Sequence, residues 1–305
     1  MDLTIPHGFW YTKQKKGGGY VKSDCHMHMV LDGVDWKAAI ARHKAAPDEA
    51  FIHKTLQIYA DAGYTYLRDG GDRWDAGKAA RSLASQYGIT YRTPLSPLCK
   101  AGHYGAFIGE TYNNFKEYAA LVKKQSLAGC DFIKIMISGL MDFNHYGVLT
   151  EDGLPAEEIR ELIHIAHEEG FAVMAHCNGA RTVEAAAAFG VDSIEHGAYL
   201  DKDALETMAQ MYTVWVPTLS TIGNLRGTGR FSEDDVSRIF ESAMENCALF
   251  AAMGGLLAPG TDAGAWSVPH GSNTEEMYLK QILGADADRF LARGTKAIQD
   301  RFVRK

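Results

Sequence analysis

The chain has 305 residues, 46% of them hydrophobic and 23% charged, with a formal net charge of −7. That length fits one large α/β domain, and the apolar content supplies a sizeable core and excludes global disorder. Lys and Arg form no long run, which argues against nucleic acid, and no stretch of about 18 apolar residues offers a membrane span.

Residues 1–20 lack the apolar core of a secretory signal and read as an N-terminal extension, with a mobile turn expected at Gly17, Gly18 and Gly19. Strands are expected at 21–29, 65–71, 91–97, 132–139, 172–178, 193–197, 214–220 and 256–263, where β-branched and apolar residues run together. The segments between them read as helices, at 48–62, 111–128, 181–189, 202–211 and 232–253. After Pro155, Ile159, Leu162, Ile163 and Ala166 fall at helical spacing, with Gly170 as the stop. Eight strands alternating with helices, without a long linker, argue for a single (β/α)8 TIM barrel over 1–305. An open doubly wound sheet is the alternative, but no GxGxxG follows an early strand.

Cys25, Cys99, Cys130, Cys177 and Cys247 are odd in number and contain no CxxC pair. They point to a reduced, cytoplasmic chain without a disulfide framework. Cys25 and Cys177 sit beside histidines but alternate away from them along their strands, so a cysteine nucleophile is not expected.

The chemistry gathers at the carboxyl ends of the expected strands, where barrel enzymes keep their catalytic groups. The first strand ends in Asp24-Cys25-His26-Met27-His28, and alternation puts His26 and His28 on one side. Lys134 lies on the fourth strand, His176 ends the fifth, His196 the sixth, and Asp262 the eighth. Imidazoles and a carboxylate converging from separate strands suit zinc or a similar divalent ion.

DCHMH, FIKIMISG, MAHCNG, SIEHG and APGTDAG, in that order, resemble the metal-binding segments of the amidohydrolase superfamily, in its prolidase-like and imidazolonepropionase-like subgroup. The resemblance spans residues 21–282. It implies that His26 and His28 hold one metal, His176 and His196 a second, and a CO2-derived carbamate on Lys134 bridges a binuclear zinc centre. It also implies a metal-bridged hydroxide that attacks an amide or peptide-like C–N bond in a dipeptide, N-acyl amino acid or cyclic amide. Asp262 would bind metal and serve as general base, then general acid. Asp24 would orient a histidine by accepting its second N–H. His103, in CKAGHYG, resembles a group that contacts the substrate carbonyl. PHGSN, with His270, resembles a pocket-shaping loop.

Further substrate-contact candidates are Tyr104, His145, Tyr146 and Asn178, with Arg226 and Arg230 placed to meet a carboxylate. Asn178 stands where relatives often carry a second histidine. Arg68 and Asp69 read as an interior ion pair, and His164 and His167 as helix-surface or packing residues. The accessory β-sandwich usual in relatives is expected to be absent or much reduced, which would leave a face for a homo-oligomer to cover. A deaminase is disfavoured, since no glutamate follows His176 closely. A lactonase or esterase on the same scaffold stays open, and a metal-containing binding protein is the non-enzymatic alternative. The expected partner is a small-molecule substrate, with neither nucleic acid nor membrane.

Overall fold

The computed structural model describes residues 21–304. The extension 1–20, with its expected glycine turn, lies outside the described residues. The strands are β1 Ser23–Met27, β2 Tyr66–Asp69, β3 Thr90–Arg92, β4 Leu98–Lys100, β5 Glu110–Tyr112, β6 Ile133–Met136, β7 Val173–Cys177, β8 Ser193–His196, β9 Val214–Val216 and β10 Leu256–Leu257. All their pairings are parallel. Helices intervene between most of them, so the chain is α/β.

The strands form two sheets, ordered β1-β2-β3 and β10-β9-β8-β7-β6-β4-β5. No ladder between named strands joins these sheets, so the expected closed barrel is not what the pairing gives. Proline explains both gaps. The single strand expected at 91–97 contains Pro94 and Pro97, each without an N–H to donate, and Leu95 between them has a φ of +68°. The strand therefore splits into β3, which pairs with β2, and β4, which pairs with β6. Pro259 likewise follows β10, cutting the strand expected at 256–263 to its first two residues.

Single hydrogen bonds cross each gap. Asp131 N–H donates to Thr93 O at 3.0 Å. On the other side Cys25 N–H donates to Pro259 O at 2.8 Å, Asp262 N–H to His26 O at 2.6 Å, and His28 N–H to Ala263 O at 2.8 Å.

Side-chain caps start several helices. Asp48 accepts from Phe51 N–H at the head of Glu49–Asp61, Asn114 from Glu117 N–H at Phe115–Ala128, and Ser232 from Asp235 N–H at Glu233–Ala252. The helix after Pro155 is Ala156–Glu168, and it buries Ile159, Leu162, Ile163 and Ala166, the four positions its spacing predicts. It leaves His164 exposed and pairs His167 Nε2 with Asp192 at 3.0 Å.

The main core lies between sheet and helices, with Ile133 and Ile135 of β6 and Val173 and Ala175 of β7 packed among Leu162, Ile163 and Val183. A second cluster joins Cys25, Tyr66, Phe132, Met174, Val214 and Val216 to Ile298 of the helix Ala287–Arg301 and to Phe302. Two residues beyond Phe132 comes Lys134, and two beyond Met174 comes His176. The strand period thus lifts both from this apolar cluster toward the site. No helix among the described residues is long and apolar enough to cross a membrane.

Candidate metal centre

Six side chains named from sequence share the wall of one cavity of about 740 Å³: His26, His28, Lys134, His176, His196 and Asp262. His26 Nε2 lies 3.4 Å from His28 Nε2, and Asp262 Oδ1 is 3.5 Å from the first and 3.4 Å from the second. The His196 ring centroid is 5.0 Å from that of His26 and 4.6 Å from that of His176. The donor atoms of His26, His196 and Asp262 all lie within 4.8 Å of one another, close enough to grip one cation.

The backbone makes room for this crowding. A side chain at Gly70 would overlap the His28 ring, so only glycine admits the imidazole there. His196, Thr218 and Asp262 have φ values of +69°, +49° and +57°. This left-handed conformation is costly for residues with a Cβ and strongly so for β-branched threonine. Two of the strained residues meet, since His196 Nδ1 lies 2.8 Å from Thr218 Oγ1.

Charge follows from burial. Desolvation, then the Lys134 ammonium, pushes His28 and His176 down to about 3, and burial drives His26 and His196 well below their ordinary value. All four imidazoles are therefore neutral near pH 7, the form that binds metal. Burial lowers Lys134 to about 8 and raises Asp262 to about 8. Lys134 Nζ is 1% exposed as a residue and has no hydrogen-bond partner among the described residues. An orphaned buried amine beside neutral imidazoles is expensive as it stands. A cation with an anionic lysine derivative would satisfy the whole set, so the residues fit a divalent metal.

The partner that fixes His26 is Glu195, whose Oε2 lies 2.8 Å from His26 Nδ1. The other oxygen, Oε1, accepts from Arg68 at 2.8 Å and from the Ser193 hydroxyl. This corrects two expectations. Asp24 does not orient a histidine ring: it accepts from Thr261 N–H at 2.9 Å, the Thr261 hydroxyl at 2.6 Å and the Tyr59 hydroxyl at 3.1 Å. Arg68 does not pair with Asp69, which accepts from the Thr93 hydroxyl at 3.1 Å instead. Glu195 was visible in SIEHG, directly before His196, but nothing in the sequence linked it to His26.

Of the substrate-contact candidates, Tyr104 and Asn178 line the cavity, as does Arg230. The Tyr104 ring lies 4.8 Å from His176. Asn178 donates to Gly139 O at 3.0 Å and accepts from Ala198 N–H at 2.9 Å, tying two loops together. The cavity wall does not include the others. His103 is half-exposed beside Glu151 at 3.5 Å, and His145 turns outward to Asp142 at 2.8 Å. Tyr146 packs on Tyr199, Arg226 lies over Phe240, and His270 is held by Leu31 O at 2.9 Å. Sequence reasoning missed the aromatic wall, Trp36, Phe107, Phe231 and Trp266, whose segments carry no motif. Cys25 and Cys177 are fully buried, and burial pushes the Cys25 thiol up to about 12, which fits the rejection of a thiolate nucleophile.

No family model matches the chain. An uncharacterized protein of Mycobacterium tuberculosis is 28% identical over 288 residues, 90% of this chain and 70% of that protein. Among solved structures, a Xaa-Pro dipeptidase with bound methionine superposes with a TM-score of 0.72 at 20% identity, covering 91% of this chain and 75% of that one. The ochratoxinase of A. niger gives 0.74 at 20% identity, covering 91% and 71%. An amidohydrolase gives 0.71 at 21% identity, covering 93% and 76%. The chain shares the fold of these structures. Prolidases are among the proteins that share it.

Proposed function

We propose that the protein is a metal-dependent hydrolase of amide or peptide-like C–N bonds. In this reading the two sheets are arcs of one distorted (β/α)8 barrel, fastened at the proline gaps, and the whole chain is a single catalytic domain. The observation that carries the proposal is the buried, unpartnered Lys134 amine surrounded by four neutral imidazoles and Asp262. The dipeptidase, ochratoxinase and prolidase names of the structural neighbours support it.

His26, His28 and Asp262 would hold one divalent ion, with zinc the first choice, and His176 and His196 a second. With its affinity for protons lowered to about 8, a fraction of Lys134 is neutral near pH 7. Such an amine would add to CO2 and lose one proton, and Lys134 would then offer an anionic carbamate to help hold the ions. When bound, the metal supplies an activated water and a Lewis acid for the substrate carbonyl. The protein supplies orientation and proton transfer. Glu195 holds His26 by Nδ1, and Asp262, fixed by its own N–H on His26 O, takes the proton of the attacking water. The same carboxyl then protonates the leaving nitrogen, so base and acid are one group.

Dipeptides and N-acyl amino acids are the first substrates to assay, followed by cyclic amides. The test is release of free amine by zinc-loaded protein, with ammonia and lactone-derived acid measured alongside to detect a deaminase or lactonase. Asp262→Asn should lower the rate by ~10²-fold or more. Amide turnover that survives full removal of metal, or is unchanged in Asp262→Asn, would end the proposal.

A further inference from the structure

The cavity described above is far more apolar than its floor. Above the histidines its wall is built from Trp36, Phe107, Phe143, Phe231 and Trp266. These rings are arranged in pairs: Trp36 packs edge-on against Phe107 at 5.5 Å, and Phe143 lies 5.2 Å from Phe231. They come from segments well separated in the chain and meet only at this mouth. Trp36 is 49% exposed and Trp266 36%, which leaves large apolar surfaces facing the opening. A ligand with a ring of its own would cover that surface.

One cation is built into the same wall. The Arg230 guanidinium lies 4.1 Å from the Trp266 ring centroid and 5.5 Å from that of Phe231. This places it against the ring faces, and among the described residues its side chain has no hydrogen-bond or carboxylate partner. The acid on the rim, Asp35, is already engaged by Lys37 N–H at 2.9 Å and Ala38 N–H at 3.2 Å. Lys37 is the other rim cation, but it lies over a single ring, Trp36, at 5.4 Å, and has no planar fork for a carboxylate.

We infer that the substrate is an amide bearing both a bulky aromatic or apolar group and a carboxylate, and that Arg230 receives that carboxylate. The aromatic group lies along the ring-lined wall, and the carboxylate sets which end of the molecule reaches the histidines. Small polar dipeptides would leave the wall wet and are poor substrates. Naming this a substrate class rests on the amide-hydrolysis reading above, so the experiment separates binding from turnover.

Three probes suffice: 2-naphthoylglycine, its neutral glycinamide analogue, and N-acetylglycine. Calorimetric titration of the purified protein should show 2-naphthoylglycine binding at least ~10-fold more tightly than either of the others. Arg230→Met should reduce it to the level of the glycinamide and leave the glycinamide unchanged. Trp266→Ala should weaken both naphthoyl compounds, and Lys37→Met neither. Equal binding of N-acetylglycine and 2-naphthoylglycine, absence of binding by all three, or an Arg230→Met variant that still prefers 2-naphthoylglycine to its glycinamide, would overturn the inference. Hydrolysis by zinc-loaded protein is then read on the same compounds. The expected binding pattern without turnover of any amide would uphold the recognition site and end the hydrolase reading. Turnover of N-acetylglycine as fast as of 2-naphthoylglycine would do the reverse.

Discussion

Glu195 gives one carboxylate oxygen to His26 and the other to Arg68, and all three side chains are essentially buried. Arg68 also donates to Cys25 O at 2.6 Å and lies 4.3 Å from the Phe302 ring, so its charge cannot escape to solvent. Removing the carboxylate alone would strand that charge. Glu195→Ala should cost about 3–5 kcal/mol of stability, read as a shift of the urea unfolding midpoint. Glu195→Gln keeps an acceptor for the His26 N–H and should cost less. An alanine variant within about 1 kcal/mol of the parent would show that the triad is not coupled as the geometry implies. The ligand set was legible because each member sits in a short motif at a strand end. Its supports were not. Arg68 was matched to Asp69 because they are adjacent, yet neighbours on a strand point to opposite faces. The true partner is 127 positions away, a pairing that only the folded sheet creates.

At the scale of elements, the loop after β9 carries Thr221, Leu225, Arg230 and Phe231 into the cavity wall, and Glu275 holds its start. Glu275 lies in the first turn of the helix Thr274–Leu283, is 1% exposed, and accepts from Ser220 N–H at 2.7 Å and the Ser220 hydroxyl at 3.0 Å. Burial raises its carboxyl from 4.5 to about 8. The folded protein therefore keeps a proton that the unfolded chain releases above about 4.5, and the resulting stability is lost as pH rises from 4.5 through 8. The slope within that window is on the order of 1 kcal/mol per pH unit. Glu275→Gln retains the acceptor and has no proton to release, so the stability of the parent relative to the variant should fall steadily as pH rises across the window. Parallel stability curves would show that Glu275 is ionised when folded. This helix went unseen in the sequence, as did Trp36–His43 and Ala76–Leu83, because each buries only two or three residues, too few to display a period. The longer helices with a wide apolar stripe were legible. The split of the third strand could have been foreseen from Pro94 and Pro97, which were counted inside it.

For the whole molecule, the consequence of gathering four imidazoles, an amine and a carboxyl from distant strands is that the apo fold carries an electrostatic load. His28 and His176 stay neutral down to about 3 in the folded protein, against an ordinary 6.5. The unfolded chain takes up protons there that the folded chain refuses, so metal-free protein should lose stability as pH falls from 6.5 toward 3. A divalent ion that binds only the assembled site acts in the opposite direction, adding about 2.7 kcal/mol when its free concentration is 100 times its Kd. Near pH 7, zinc should therefore raise the Tm of chelator-stripped protein, and the gain should be much smaller in Asp262→Asn, which weakens the donor set without emptying the core. The gain should also fade on acidification, since protons and metal compete for the same ring nitrogens. A Tm indifferent to zinc at neutral pH would mean that the converging side chains do not capture a cation. The buried Lys134 amine would then need a different partner.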